Sequence, residues 1–145
     1  MILTDVLSIP AVQDKDRFLI QLPGAEFLNR DGNGQNDCKS ATAFSITSEG
    51  QLTVQGDPEN VFSVDVGVDS EPFEPSKPGA AIQDTFDITG NTLTWKNPTF
   101  LDGVAVFCVE GTGITAYFQG APGDCETYDV FAQDSKFASS LIFHH

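Results

Sequence analysis

Two β-hairpins in series, predicted over residues 86–118, constrain the fold of this chain more than any other feature. The first reads FDI-TGN-TLTW and the second reads VAVFCV-EGTG-ITAYF. In both, apolar residues alternate with polar ones, which is the period of a half-buried strand. Each turn contains Gly or Asn, residues that readily adopt the positive φ of a tight hairpin. The pattern predicts an all-β fold.

Alternation and turn signals continue along the chain at intervals typical of a sandwich or barrel. About nine strands are predicted, over residues 16–22, 39–47, 51–55, 60–68, 82–87, 92–96, 104–110, 114–119 and 126–132. No segment keeps a helical period, and residues 133–143 fit either a short helix or an edge strand. At 145 residues the chain has the length of one domain. We therefore predict a single antiparallel β-sandwich over residues 1–145, with its core in about residues 16–132.

Two long connections interrupt this pattern. Residues 23–37 are rich in Gly, Asn and Asp, and residues 69–81 carry Pro72, Pro75 and Pro78. Proline cannot donate a hydrogen bond to a central strand ladder. The second connection is therefore predicted to cross between sheets in an extended course.

The charge balance excludes two classes of partner. Seven basic residues against 21 acidic ones give a net charge of −14. Such a surface repels nucleic acid phosphates and anionic lipid, so we expect neither nucleic acid nor membrane as a partner. No apolar stretch has membrane-spanning length. Asp5 lies within the apolar part of residues 1–10, so these residues do not read as a signal peptide.

The chain lacks the residues of several common catalytic centres. Its two histidines are the terminal His144 and His145, whereas Ser-His-Asp and Cys-His hydrolases need a histidine base. Zinc and copper sites also depend on histidine or closely spaced cysteines. Glycosidases need two carboxylates, and among 21 acids a chance pair is expected, so no pair is assigned. We predict a non-enzymatic protein without catalytic residues.

One loop has the pattern of a calcium site. Asn29, Asp31 and Asn33 offer side-chain oxygens at alternate positions, Gln35 a backbone carbonyl and Asp37 a carboxylate, with Gly at the sixth position. Ca²⁺ prefers six to eight oxygen ligands, and the glycine lets the chain wrap the ion. The alternative is a solvated Asn/Gly turn before a strand. No cofactor is assigned from the sequence, and calcium is its one candidate.

Three aromatic residues are candidates for a sugar-binding platform. Trp95, Tyr117 and Tyr128 each offer a flat face that complements the apolar face of a pyranose. Trp95, however, shares its strand face with Leu93, which favours a buried tryptophan in the core. Both interpretations remain open from the sequence.

Several segments together resemble a known family. They are NDCKSATAFSI, GQL, PGAAIQDTF, GNTLTWKNPTFLDGVAVFCV and TAYFQGAPGDC, within about residues 18–132. The order resembles a domain of secreted fungal proteins that has no assigned function and occurs in extracellular and cell-wall-associated proteins. The resemblance implies a secreted, all-β domain and transfers no catalytic residue.

In a secreted protein, three cysteines predict one disulfide and one free thiol. Cys38 and Cys125 both lie at loop-to-strand boundaries, and this pairing is favoured. If the chain turns back after residue 119, Cys125 lies near Gln119, too far along the strand to reach Cys108. The pairings Cys38–Cys108 and Cys108–Cys125, and no disulfide at all, remain alternatives.

We therefore expect a non-enzymatic extracellular or cell-wall binding or structural module, whose partner is a polysaccharide or another extracellular protein. The first alternative is a carbohydrate-binding module for wall polysaccharide, with the aromatic platform as its site. The second is a carboxylate-dependent glycoside hydrolase, which needs a cleft with a converging acid pair.

Overall fold

Two antiparallel sheets form the fold. The computed structural model describes residues 12, 15–23, 26–35, 41–76, 79–111 and 113–134. In chain order the strands are β1 (Phe18–Leu22), β2 (Glu26–Leu28), β3 (Gly34–Gln35), β4 (Phe44–Ile46), β5 (Leu52–Val54), β6 (Asp57–Val61), β7 (Ser70–Pro72), β8 (Phe86–Thr89), β9 (Thr92–Trp95), β10 (Val106–Glu110), β11 (Gly113–Tyr117) and β12 (Phe131–Asp134). The predicted all-β class is confirmed.

The strands divide into a main sheet and a small sheet. The main sheet has the order β6-β5-β4-β1-β12-β9-β8, and the β2–β3 hairpin branches from it by pairing with β1. The small sheet has the order β10-β11-β7. A 3-10 turn, Leu101–Gly103, precedes β10. Among the described residues, no helix has the length and hydropathy needed to cross a membrane.

The hairpins predicted from local turn signals are present. Thr89 lies opposite Thr92 across a two-residue turn between β8 and β9. Glu110 lies opposite Gly113 at the turn between β10 and β11. A further hairpin joins β4 to β5. Hairpin formation here follows from residues adjacent in sequence, which is why the sequence pattern was sufficient.

The predicted strand over residues 82–87 begins later than expected. Thr85 has a φ of 68°, which is unusual for a β-branched residue and interrupts an extended strand. This backbone turn directs the Asp84 carbonyl toward the buried Trp95, whose indole Nε1–H donates to it at 3.1 Å. Ile82 instead forms an isolated bridge with Val64.

The proline-rich connection contains a strand that the sequence did not predict. β7 pairs with β11 at the edge of the small sheet, and its last residue, Pro72, lies opposite Thr115. An edge strand tolerates proline because one side of it makes no ladder bonds. Phe73 follows directly and is buried in the core, so the connection contributes to the packing between the sheets.

Aromatic side chains fill the space between the two sheets. Phe62, which follows β6 of the main sheet, packs against Phe73 with ring centroids 4.5 Å apart. Phe73 in turn contacts Phe107 of the small sheet edge-on at 5.0 Å. Trp95 is 1% exposed and stacks on Phe86 at 4.4 Å. These contacts make a continuous core, as expected for a sandwich.

The two sheets meet at one corner and then separate. Backbone pairing between β9 and the start of the small sheet runs as far as Ala105, whose N–H donates to Trp95 O at 2.9 Å. Beyond that point residues 126–130, here called the crossing segment, lie between β9 and β10. Tyr128 N–H donates to β10 at 2.9 Å, and Val130 O accepts from β9 at 2.8 Å. The crossing segment therefore links the small sheet to the main sheet.

The disulfide joins Cys108 to Cys125, with their Cα atoms 5.6 Å apart. The favoured pairing of Cys38 with Cys125 is therefore wrong, although Cys38 itself lies outside the described residues. The error came from assuming that the chain turns back along β11 after Gln119. The chain instead passes to the other edge of β10, where Thr127 lies opposite Cys108. Cys125 is thus brought within reach of Cys108.

Candidate functional site

The segment predicted to bind calcium forms the tip of the β2–β3 hairpin. Leu28 lies opposite Gly34 in this pair. Across the loop, Asn29 N–H donates to Asn33 O at 2.8 Å. Asp31 Oδ1 accepts from Asn33 N–H at 3.1 Å, which is an Asx turn. The Asn/Gly composition therefore forms a compact turn at this position.

Neighbouring elements hold the loop in place. Arg30 N–H donates to Thr42 Oγ1 at 3.0 Å, and the Arg30 guanidinium lies 3.5 Å from the Asp57 carboxylate. Gly32 has a φ of +86°, and a Cβ built there would lie 3.0 Å from Glu74 Oε2. Any other residue here would have a strained backbone and a Cβ in close contact with Glu74. Glycine at this position therefore allows the loop to lie close to the Glu74 carboxylate.

A cleft of about 330 Å³ lies between this loop and the β10–β11 hairpin. Its lining includes three carboxylates, from Asp31, Glu74 and Glu110, and the polar side chains of Asn33 and Thr115. Pro72, Ile114, Gly32 and Gly113 complete the walls. The cleft therefore brings carboxylate and amide oxygens together from three separate parts of the chain.

Glu110 is held in its ionised form on the outer face of the small sheet. Its carboxylate accepts hydrogen bonds from Tyr117 Oη–H and, at 2.9 Å, from Thr115 Oγ1–H. These bonds favour the charged form and lower the pKa of Glu110, Tyr117 contributing most. The same contact raises the pKa of Tyr117. Glu110 is therefore a fixed anion at the cleft wall.

Glu71 is the acid with the opposite shift. Burial raises its pKa from 4.5 to about 7, and the charges of Glu74 and Asp65 add to this. Ala116 is buried and lies directly opposite Glu71, so Glu71 projects toward the core side of the small sheet. Glu71 and Glu110 therefore project from opposite faces of that sheet.

The structure describes only part of the predicted calcium ligand set. Asn29, Asp31 and Asn33 lie in the hairpin loop, Gln35 lies in β3, and Asp37 falls outside the described residues. Within the described ranges, no three His, Cys, Asp or Glu side chains group closely enough to hold a metal ion. Ligation here would draw on amide and carbonyl oxygens as well, and that donor set suits hard Ca²⁺. Calcium binding stays a prediction.

The predicted aromatic platform does not form. Trp95 is buried, with its indole ring packed between Phe86, Phe100 and Phe118, so its assignment as a ligand residue is wrong. Tyr117 is half-buried on the outer face of the small sheet and donates to Glu110. Tyr128, in the crossing segment, donates its hydroxyl to Gln21 O at 3.0 Å. Burial raises the pKa of Tyr128 to about 12.

Two residues of the acidic cleft were missed by sequence reasoning. A hairpin turn over residues 111–113 pairs Glu110 with Ile114 and puts Thr115 on the opposite face of the sheet. The structure instead pairs Glu110 with Gly113, and this register brings Glu110 and Thr115 onto one face. Glu74 lies in the proline-rich connection, and nothing local in the sequence indicates that it meets Gly32. Its position depends on how the connection folds against the β2–β3 hairpin.

The chain was compared with known families, curated proteins and solved structures. The model of a domain of unknown function, DUF7908, matches residues 14–136, which is well over half of the chain. The chain belongs to the DUF7908 family. No curated protein and no solved structure matches it. The resemblance to a domain family without assigned function is thereby confirmed, and the DUF7908 match spans both sheets.

Proposed function

We propose that this DUF7908 domain is a non-enzymatic binding or structural module that acts outside the cell, in the fungal wall setting that its sequence resembles, and that it binds Ca²⁺ at the acidic cleft. The observation that carries the proposal is the meeting of the predicted calcium loop with Glu74 and Glu110 across one cleft. Carboxylate, amide and carbonyl oxygens are the ligands that Ca²⁺ prefers.

Two further features of the cleft favour a cation. Asp31, Glu74 and Glu110 bring three carboxylates to the cleft, and its lining, over the part of the chain that the structure describes, contains no lysine or arginine. Glu110 is kept ionised by its two hydroxyl donors, as its lowered pKa reflects. A divalent cation would relieve the mutual repulsion of these groups.

The placement of the acids favours binding over hydrolysis. A glycosidase needs two carboxyl groups on either side of one scissile bond, one protonated and one ionised. Glu71 and Glu110 have the required opposite pKa shifts, but they project from opposite faces of the small sheet. Release of reducing ends from a polysaccharide panel, lost in both Glu71→Gln and Glu110→Gln, would contradict the non-enzymatic role.

An extracellular location is supported by the Cys108–Cys125 disulfide, because disulfides persist in oxidising compartments and are rare in the cytosol. The proposed partners, a wall polysaccharide or another extracellular protein, are also extracellular. The net charge of −14 suits a protein that stays apart from anionic lipid and nucleic acid.

Calcium binding is tested by thermal unfolding of chelator-treated protein with added Ca²⁺. We expect a Kd on the order of 10⁻⁴–10⁻³ M, as for extracellular modules. At ten times the Kd, stabilisation is about 1.4 kcal/mol, or a few degrees in Tm. Asp31→Ala should abolish the response and Glu110→Gln should reduce it. Glu49→Ala, which removes a charge from the β4–β5 turn outside the cleft lining, should leave it unchanged.

Non-specific screening predicts a different result. Any divalent cation screens a net charge of −14, so Mg²⁺ would match Ca²⁺ and Asp31→Ala would behave like Glu49→Ala. That outcome would show that the loop is a turn without a calcium site. If Asp31→Ala abolishes the response while Glu110→Gln leaves it intact, the loop binds calcium without the opposite wall of the cleft.

A further inference from the structure

A second cleft lies where β9 and β10 separate. Its volume is about 300 Å³, and residues of the two strands, of the stretch before β10 and of the crossing segment line it. The polar lining residues are Thr92, Thr94, Thr127, Tyr128 and Asp129, and the apolar ones are Leu93, Val104, Ala105, Val106, Phe107 and Val130. Of the residues that the structure describes, none lines both this cleft and the acidic cleft.

The cleft has an apolar floor and a polar rim. Leu93 and Phe107 are 2% and 7% exposed, so they form part of the buried floor. Thr127 and Asp129 are exposed, and Thr92 is half-buried. Each threonine hydroxyl can both donate and accept a hydrogen bond. A ligand seated here would place an apolar face on the floor and hydrogen-bonding groups at the rim.

The walls of this cleft are fixed by the fold. Thr127 lies opposite Cys108 in β10, and the Cys108–Cys125 disulfide ties the crossing segment to that strand. Tyr128 is anchored at both ends, by its N–H to β10 and by its hydroxyl to Gln21 O. A pre-formed site of this kind does not have to be ordered when a ligand binds.

We propose that this cleft binds one neutral pyranose unit of a polysaccharide. A pyranose has an apolar C–H face that matches the floor and hydroxyl groups that match the threonine rim. The volume is at the lower end for ligand sites, which suits a single ring. Among the described residues, the lining contains Asp129 and no cationic side chain, which disfavours an acidic sugar. The inference deepens the proposed binding role and does not depend on the calcium site.

The proposal is tested by following backbone amide NMR signals during titration with neutral monosaccharides, namely glucose, mannose, galactose and N-acetylglucosamine. Chelator is present throughout, so that the acidic cleft does not contribute. At least one sugar should shift the amides of Thr92 and Thr127 with a millimolar Kd, the range expected for so small a ligand. Glucuronate should bind with a higher Kd than glucose, and the two Kd values should lie closer together in Asp129→Asn.

Matched variants separate this site from a non-specific effect. Thr127→Val keeps the shape and removes the hydroxyl, and it should weaken binding about 2- to 10-fold. Thr89→Val removes an exposed strand hydroxyl outside the cleft and should leave the Kd unchanged. Amide signals of both variants report directly on whether the fold is intact.

The pyranose site would be overturned if none of the four sugars shifts the cleft amides, or if the shifts lie elsewhere on the surface. Equal Kd values for Thr127→Val and Thr89→Val would overturn it as well. If the sugar titration fails and the Ca²⁺ response is normal, the calcium proposal still stands, because the titration is made in chelator and the described lining residues of the two clefts are different.

Discussion

Replacing Trp95 by alanine tests the core of this sandwich most directly. The side chain is 1% exposed and contacts three aromatic rings, with centroids 4.4 Å from Phe86, 5.2 Å from Phe118 and 5.6 Å from Phe100. Deleting a large buried aromatic side chain costs about 3–5 kcal/mol. The three ring contacts and the indole hydrogen bond to Asp84 O place the expected loss near 4–5 kcal/mol.

The loss is measured by equilibrium urea unfolding under non-reducing conditions. Far-UV circular dichroism is the appropriate signal, because Trp95 is the only tryptophan and the variant loses its fluorescence. The midpoint should fall at an unchanged m-value, and Tm should fall by about 10–15 °C. Trp95→Phe keeps a ring in the stack and loses the indole N–H, so its loss should be about 1–3 kcal/mol.

Leu101→Ala is the matched control, because Leu101 is a large apolar residue that is 53% exposed. It should change the free energy of unfolding by less than about 0.5 kcal/mol. A loss below about 1 kcal/mol for Trp95→Ala would refute the packing described here. Trp95 would then be a surface residue, and its role in a sugar platform would have to be reconsidered.

Two further predictions concern the disulfide and one half-buried acid. Cys125→Ser opens a covalent loop between residues 17 positions apart and should lower the free energy of unfolding by about 3 kcal/mol. Cys38→Ser should leave the Cys108–Cys125 disulfide intact, as checked by peptide mapping without reduction. Glu71 has its pKa raised to about 7 in the folded state, so its contribution to stability is full below the unfolded pKa and is lost as pH rises through 7. Glu71→Gln should therefore gain stability relative to the wild type between about pH 5 and pH 8 in urea unfolding, and an equal difference at both pH values would contradict this reasoning.

The predictions that succeeded rest on local chemistry. The β8–β9 and β10–β11 hairpins follow from alternation and from Gly and Asn at their turns, and these signals act between neighbouring residues. The burial of Trp95 followed from its sharing a strand face with Leu93. The Asn29–Asn33 turn was likewise recognisable, because Asn, Asp and Gly form such turns through their own backbone contacts.

Only the tertiary structure determines which of these elements lie next to one another. The sequence favoured the wrong partner for Cys125, because the path of the crossing segment between β9 and β10 depends on contacts between residues far apart in the chain. The meeting of Glu74 with the calcium loop has the same origin, as does the strand in the proline-rich connection. Alternation indicates which face of a strand is buried but not which strand lies beside it. Strand order, the disulfide and both clefts are therefore products of long-range packing.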